Sequence, residues 1–308
     1  VRRSEGKKEK AQSLNNQQLA TCKLQLQHQL ATRNEQPVTA VSPINPSNPN
    51  TKHKTPNTRA PKVRGTFFVL GWIAKRLPRL VREISDRGHE VASHGLDHEL
   101  PLKMSGGSLL ADLVESRTLL EDIIGGPVHG YRAPSFSVDD PILSLIQEAG
   151  YRYDSSYNSF SLHGRYGQLS LNGNGKMDGV VRMDNEFFEI PISNLNLFGR
   201  VLPWGGGGYF RLMPSFFFKA GVRTILNDRN SFVFYLHPWE IDPQQPRVNR
   251  ASFSLKFRHY NNLNRTESKL VDLIEEFSGC RFSTCSEYID LMSKILIDVP
   301  TSCRECAR

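Results

Sequence analysis

The sequence predicts an α/β fold in which mainly parallel strands alternate with amphipathic helices. Short apolar runs at residues 65–70 and 231–236 are typical of strands that are buried on both faces. Between such runs, apolar residues recur at helical spacing, most clearly over residues 109–124. Because strands and helices alternate, we expect the strands to form one mainly parallel sheet, either open or closed into a barrel.

The other elements follow from the same two periodicities and from turn residues. Further strands are expected at residues 88–93, 131–136, 151–154 and 187–192. Helices are expected at residues 78–88, 109–125, 139–150, 214–227 and 267–277, the last being the final clear element. Pro78 and Asp139 are suited to helix starts, whereas Gly125 is suited to a helix end.

The charge of the chain is concentrated in its N-terminal segment. The formal net charge is +8, and residues 1–63 hold 11 Lys and Arg against 3 Glu, so the remainder is neutral. The folded part therefore gives no electrostatic reason to expect a nucleic-acid partner. No apolar run is long enough to span a bilayer, and no secretory signal pattern is present, so a cytoplasmic location is expected.

Composition predicts three regions. Residues 1–61 are rich in Gln, Asn, Ser, Thr, Pro and Lys and are expected to be a disordered basic segment. Residues 62–290 are expected to form the folded domain, and residues 291–308 a C-terminal tail. Four cysteines, Cys280, Cys285, Cys303 and Cys306, loosely resemble a thiolate metal site. Their spacing is poor for that purpose, and free thiols are expected instead.

Two histidines suggest a metal site at a strand end. His94 follows the predicted strand at residues 88–93, and His98 lies four residues later. On a helix this spacing places both rings on one face, where neutral imidazoles bind Zn²⁺. A pair at this spacing is also a common accident of a solvated helix face. On spacing alone, that second explanation is the more common one.

Four motifs in order resemble the polysaccharide deacetylases, which are the NodB-homology domain of carbohydrate esterase family 4. Within them, the bacterial exopolysaccharide-associated branch is the most similar. The resemblance covers about residues 62–288, and the motifs that carry it lie at residues 66–72, 130–137, 206–211 and 237–242. It implies a distorted (β/α) barrel that removes N-acetyl groups from an amino-sugar polysaccharide with a divalent metal, usually zinc. The oligomeric state is not implied.

Roles for individual residues follow from that resemblance. His94 and His98 would be metal ligands, and His237 would be the general acid that protonates the departing amine. The backbone N–H of Ser135 would help hold the oxyanion, and Asp154 would orient His237. Sugar rings would lie against aromatic faces supplied by Phe136, Tyr209 and Trp239.

Each of these roles has a structural alternative. Arg132, which in the family steadies the catalytic base, also fits an ordinary surface ion pair, and Asp154 fits a turn cap. His237 and Trp239 also fit plain core positions. The intact motifs favour the functional interpretation for His237 and Arg132, whereas the structural interpretation is favoured for Asp154 and the aromatic residues.

The chain departs from the family at its first motif. In the family, a first strand carries adjacent acidic residues that serve as general base and third metal ligand. Upstream of Thr66 the only acidic residues here are Glu5, Glu9 and Glu35. We therefore expect a fold without the first strand, and impaired catalysis. The alternatives are an inactive carbohydrate-binding relative, a gene fragment, or a protein that interacts through its basic tail.

Overall fold

The computed structural model describes residues 63–160, 169–171, 176–177, 179–184, 186–248 and 252–298. The predictions for residues 1–61, and for the cysteines at 303 and 306, lie outside these ranges. Cys280 and Cys285 are free thiols, as expected.

The sheet is α/β and mainly parallel, as predicted. Its strands are β1 (Thr66–Val69), β2 (Glu90–Ser93), β3 (Gly130–Tyr131), β4 (Tyr153–Asp154), β5 (Lys176–Met177), β6 (Val180–Arg182) and β7 (Phe188–Glu189). They are ordered β1-β2-β3-β4-β7-β6-β5, and β1 to β4 and β7 run parallel. Within the described ranges, the sheet ends at β1 and β5 and no strand precedes β1. A separate hairpin joins β8 (Asn194–Leu197) to β9 (Arg200–Pro203).

Helices fill the connections between the strands. They are α1 (Gly71–Arg76), α2 (Pro78–Asp86), α3 (Gly106–Ile124), α4 (Asp140–Glu148), α5 (Gly207–Leu212), α6 (Ser215–Arg229), α7 (Phe253–Tyr260), α8 (Leu263–Glu276) and α9 (Cys285–Asp298). Asp139 caps α4 by accepting a hydrogen bond from the Ile142 amide, as its position predicts. Gly125 ends α3 in the left-handed conformation, with φ +68°.

Three apolar clusters of buried residues hold the layers together within the described ranges. The first packs α2, α3 and α4 against the parallel strands, and Leu113 and Leu120 of α3 are fully buried in it. Another surrounds Trp204, whose ring stacks on Phe218 at 5.8 Å. Burial of each such side chain stabilises the fold by roughly 1.5–3 kcal/mol. None of the described helices is long and apolar enough to cross a membrane.

The C-terminal half differs from the sequence prediction in two places. Residues 231–236 are largely buried, but they form only an isolated bridge between Tyr235 and Gly206 rather than a strand. Part of the reason is that the Val233 amide donates to the Ser193 hydroxyl, so a side chain takes the place of a strand partner. The prediction that the last clear element ends at residue 277 is wrong, because α9 follows it.

Candidate active site

The predicted site residues emerge where neighbouring parallel strands end. His94 follows β2, Arg132 follows β3, and Asp154 is the last residue of β4. These strands are adjacent in the sheet, with Ser93 paired to Tyr131 and Tyr131 paired to Asp154. Carboxyl ends of parallel strands are where α/β folds place their binding crevices.

The two histidines of the proposed metal pair are neighbours, but no helix brings them together. Their ring centroids lie 5.2 Å apart in an edge-to-face arrangement. The backbone between them is an irregular turn, in which Gly95 has φ +79° and His98 has φ +62°. The expectation that a helix places the two rings on one face is therefore wrong, although the two rings are in contact.

A backbone contact fixes the orientation of the His94 ring. Its Nδ1 lies 2.6 Å from the carbonyl oxygen of Arg132. Because a carbonyl only accepts hydrogen bonds, Nδ1 carries the proton and Nε2 keeps its lone pair. The pKa of His94 is lowered to about 3, chiefly by burial and then by the neighbouring His98, against the opposing effect of the Arg132 carbonyl. A neutral imidazole with this tautomer is the form that binds a metal ion.

The third histidine belongs to the same site. The charge of His237 lowers the pKa of both His94 and His98, although for each of them desolvation is the larger cause. His237 thus lies within electrostatic reach of the pair. Its side chain is 56% exposed, which excludes the core alternative. His98 is exposed to solvent as well.

Arg132 is a buried cation, and the surface ion-pair alternative is wrong. Its guanidinium donates to the carbonyl and hydroxyl oxygens of Ser155 at 2.8 and 2.7 Å. It lies 4.0 Å above the Phe68 ring, with Phe136 and Tyr235 about 6 Å away. Burial lowers the pKa of Arg132. No carboxylate of the described residues forms a salt bridge with it. A buried charge in this position is costly unless it is paired.

The turn after Arg132 holds a strained backbone. Ser135 and Phe136 both have positive φ, at +55° and +57°, and each such residue costs on the order of 1–3 kcal/mol. Phe136 donates its amide to Ala133, whereas the Ser135 amide finds no acceptor in the described part of the chain. The Phe136 side chain is only 9% exposed, so it packs in the interior and is a poor sugar platform.

Asp154 does not orient His237. It is fully buried, and its oxygens accept from the amide and the hydroxyl of Ser156 at 3.0 and 2.7 Å. The Ser156 hydroxyl in turn accepts from the Ala133 amide at 2.7 Å. Asp154 thus fixes the turn that follows Arg132, which matches its structural alternative more closely than the catalytic one.

A second buried carboxyl faces Asp154. Glu189 is its register partner on β7 and is also fully buried. Glu189 Oε1 accepts from the Tyr157 amide at 2.9 Å, whereas Oε2 has no donor among the described groups. Burial raises the pKa of both carboxyls, and their proximity raises that of Glu189 well above its usual value. The pair is therefore expected to hold one shared proton.

The described residues do not complete a metal site. Within the described ranges, no group of three or more His, Cys, Asp or Glu side chains is arranged to hold an ion. His94 and His98 supply two imidazoles, one fewer than the three protein ligands of a typical catalytic zinc.

Sequence reasoning missed the partner of His237. Glu240 accepts from the His237 amide at 2.9 Å, and its Oε2 lies 3.2 Å from Nδ1 of the ring. Trp239 is half-buried and stacks on both His237 and His259, at 5.6 and 4.2 Å. Tyr209 is half-buried and lies 6.5 Å from Phe160. The sequence did contain a signal for this contact, because Glu240 is an acidic residue three positions after His237.

Two family models match adjacent parts of the chain. A family model described as polysaccharide deacetylase matches residues 43–153. Over these residues the chain is similar to the polysaccharide deacetylases. A second model, described as a domain of unknown function (DUF3473), matches residues 155–290. The deacetylase match begins upstream of residue 62 and ends beside Asp154.

Curated relatives of the deacetylase domain align over about 90 to 100 residues. A peptidoglycan-N-acetylglucosamine deacetylase of Bacillus cereus is 29% identical, over 30% of this chain and 42% of the relative. A peptidoglycan deacetylase of Helicobacter pylori is 32% identical, over 31% and 33%. A chitooligosaccharide deacetylase of Azorhizobium caulinodans is 31% identical, over 28% and 42%. The chain thus spans less than half the length of these relatives.

Solved structures resemble the chain more distantly. A Mycobacterium smegmatis protein assigned to the polysaccharide deacetylases has a TM-score of 0.43 and 22% identity, and the match covers 70% of this chain and 65% of that one. A CE4 family pseudoenzyme from Bacillus anthracis has a TM-score of 0.39 and 13% identity, covering 73% and 55%.

Proposed function

We propose that this domain is built to remove N-acetyl groups from an amino-sugar polysaccharide, with zinc as the divalent metal. The observation that carries the proposal is the contact between the His94 and His98 rings where the parallel strands end, beside Arg132 and within electrostatic reach of His237. The similarity to curated peptidoglycan and chitooligosaccharide deacetylases supports the reaction class. The polymer we propose is a bacterial exopolysaccharide, and the location we propose is the cytoplasm.

The roles of the side chains follow from their surroundings. His94 presents the Nε2 lone pair toward the site, and His98 adds a second imidazole. His237 stands at the open side, where it would donate a proton to the departing amine. The amide of Ser135, which has no described acceptor, would hold the oxyanion, a contact often worth about 3 kcal/mol. Two imidazoles do not complete a catalytic zinc site, so we assign no step to the ion.

We also propose that this chain is catalytically impaired. The support is the buried Arg132 guanidinium, which forms no salt bridge with a carboxylate of the described residues and feels the charge of Asp154 only as a weaker effect than burial. A general base beside it would supply a direct ionic partner. No acidic pair occurs upstream of Thr66 to provide that base. Among the described strands β1 lies at one end of the sheet, where a first strand would add.

An inactive carbohydrate-binding protein is the second candidate. It is favoured by the lack of a third ligand around His94 and His98 in the part of the chain that is described. Metal analysis separates the two candidates, because a binding protein of this kind would purify without zinc and would take up none on titration.

The decisive experiment measures acetate release from an acetylated amino-sugar polymer with added zinc. It compares this chain with a version in which a strand bearing two adjacent Asp residues is fused upstream of Thr66. The same repaired version carrying His237→Gln is the control. Acetate release only in the repaired protein, lost again in the control, is the expected result. Release by the unrepaired chain would contradict the proposed impairment, and release by neither would contradict the assigned reaction.

A further inference from the structure

Glu240 is a buried carboxylate beside the proposed proton donor. Its side chain is only 2% exposed. A short 3-10 turn, Pro238–Ile241, starts directly after His237 and carries Glu240 back over that residue. As a result, Glu240 Oε2 accepts a hydrogen bond from the His237 backbone amide at 2.9 Å. The same oxygen lies 3.2 Å from Nδ1 of the His237 ring.

Arg211 holds the other oxygen of this carboxylate. Its Nε donates to Glu240 Oε1 at 3.2 Å, and both side chains are 2% exposed. The remaining guanidinium nitrogens donate to the backbone carbonyls of Arg258, His259 and Asn261. Arg211 is thereby anchored from three sides, so that a fixed cation neutralises Glu240 inside the protein. Burial alone would raise the pKa of Glu240, but His237 and Arg211 outweigh burial and lower it.

The ring of His237 is held on its face as well as at its edge. The Trp239 ring lies 5.6 Å from it at an interplanar angle of 22°. Trp239 stacks in turn on His259 at 4.2 Å and lies 5.1 Å from the Arg211 guanidinium. Because the ionised carboxylate only accepts hydrogen bonds, Nδ1 of His237 must be the protonated nitrogen in the neutral ring. Nε2 is then the nitrogen left to exchange a proton with the substrate.

We propose that Glu240 is the positioning residue for His237, that Arg211 fixes Glu240, and that this pair takes the place predicted for Asp154. The inference rests on the proposed function for the meaning of His237 as a proton donor. The contacts themselves do not depend on whether the chain is active.

The test reads the tautomer of the His237 ring by nitrogen-detected NMR of the full chain, at a pH where the ring is neutral. The native chain is expected to carry its proton on Nδ1. Glu240→Gln is expected to yield a mixture of the two tautomers, because the ionic acceptor is lost. Asp154→Asn and Asp242→Asn, which remove carboxylates that do not touch His237, are expected to leave the signal unchanged.

Two outcomes would overturn the inference. One is a native ring protonated on Nε2, which needs no variant to fold. The other is an Asp154→Asn chain that changes the tautomer while a folded Glu240→Gln chain does not.

The repaired protein adds a catalytic readout. There, Glu240→Gln is expected to lower kcat by about 10- to 100-fold with little change in KM, since proton donation and not polymer binding is affected. An unchanged kcat would contradict the inference. If the repaired protein releases no acetate at all, the proposed function fails, and the tautomer still decides the role of Glu240.

Discussion

The buried carboxyl pair makes a quantitative prediction about stability and pH. Asp154 and Glu189 face each other without solvent, and Glu189 Oε2 has no donor in the described structure unless the pair keeps a proton. In the unfolded chain both carboxyls ionise near their ordinary pKa values. Between the ordinary pKa and the raised folded pKa of Glu189, the native state therefore holds one more proton than the unfolded state.

The sign and size of the effect follow from proton linkage. Because the native state binds the extra proton, the free energy of unfolding falls as pH rises through this window. The slope reaches about 1.4 kcal/mol per pH unit for one proton. The stabilisation is fully present below the unfolded pKa and is lost as pH passes the folded one.

Histidines oppose this trend only at lower pH. Burial lowers the pKa of His89 to about 4 and that of His94 to about 3, so both favour folding more as pH rises toward 6.5. Above about pH 7.5 these rings are neutral in both states and their contribution is constant. Urea unfolding followed by circular dichroism from pH 7.5 upward is therefore free of the histidines. Burial raises the pKa of Cys285 and of Tyr151 to about 12 each, which adds a fall in stability of the same sign at high pH, so the carboxyl pair is isolated as the difference between the native chain and a variant that lacks the pair.

The variant Glu189→Gln tests this prediction, because it replaces the protonated carboxyl with an amide of nearly the same shape. The amide donates to Asp154 permanently, so the part of the fall in stability with rising pH that the shared proton causes is expected to disappear. Glu186→Gln, at an exposed position on the same segment, is expected to keep it. Infrared spectra should show a protonated carboxyl band at neutral pH that Glu189→Gln removes. A native chain with no such band, and with no fall in stability that Glu189→Gln abolishes, would refute the shared proton.

Three further predictions test the packing and the histidines. Gly221→Ala is expected to destabilise the fold by about 1–3 kcal/mol in urea, because its Cβ would collide with the Trp204 ring. Gly208→Ala, whose Cβ meets nothing within 4 Å, should instead be neutral or stabilise by up to about 1 kcal/mol; equal effects would contradict this. Lowering pH from 6.5 to 4 should reduce stability through His89 and His94, and His94→Gln should reduce that dependence. Calorimetry should show that His94→Ala weakens zinc binding by more than about tenfold, and unchanged affinity would exclude it as a ligand.

Local patterns in the sequence predicted most of the parallel half of the fold. Three elements were predictable in this way: the strand at residues 66–69, the strand before His94 and the helix α3. Each of them buries one face, and the spacing of its apolar residues shows that face in the sequence. The strand predicted at residues 231–236 failed for a non-local reason. Its burial was readable, but the Ser193 hydroxyl that takes up the Val233 amide lies 40 residues away.

The candidate site likewise contains some residues whose positions the sequence predicts and others whose positions it does not. The positions of His94 and Arg132 at strand ends were predictable, because those ends share one edge of the sheet. The pairing of Asp154 with Glu189 depends on the register of two strands that are 35 residues apart in the chain, and no local pattern encodes it. Glu240 was readable in principle, because it lies three residues from His237 within one turn.

The central claim is that His237 shares one site with His94 and His98. Adding Co²⁺ to the full chain and recording the histidine ring signals by NMR tests it most directly, because the paramagnetic ion broadens nearby nuclei. The claim predicts strong broadening at His94, His98 and His237, and much weaker broadening at His89, which lies about 16 Å back along β2. A His237 signal that stays sharp while those of His94 and His98 broaden would contradict it.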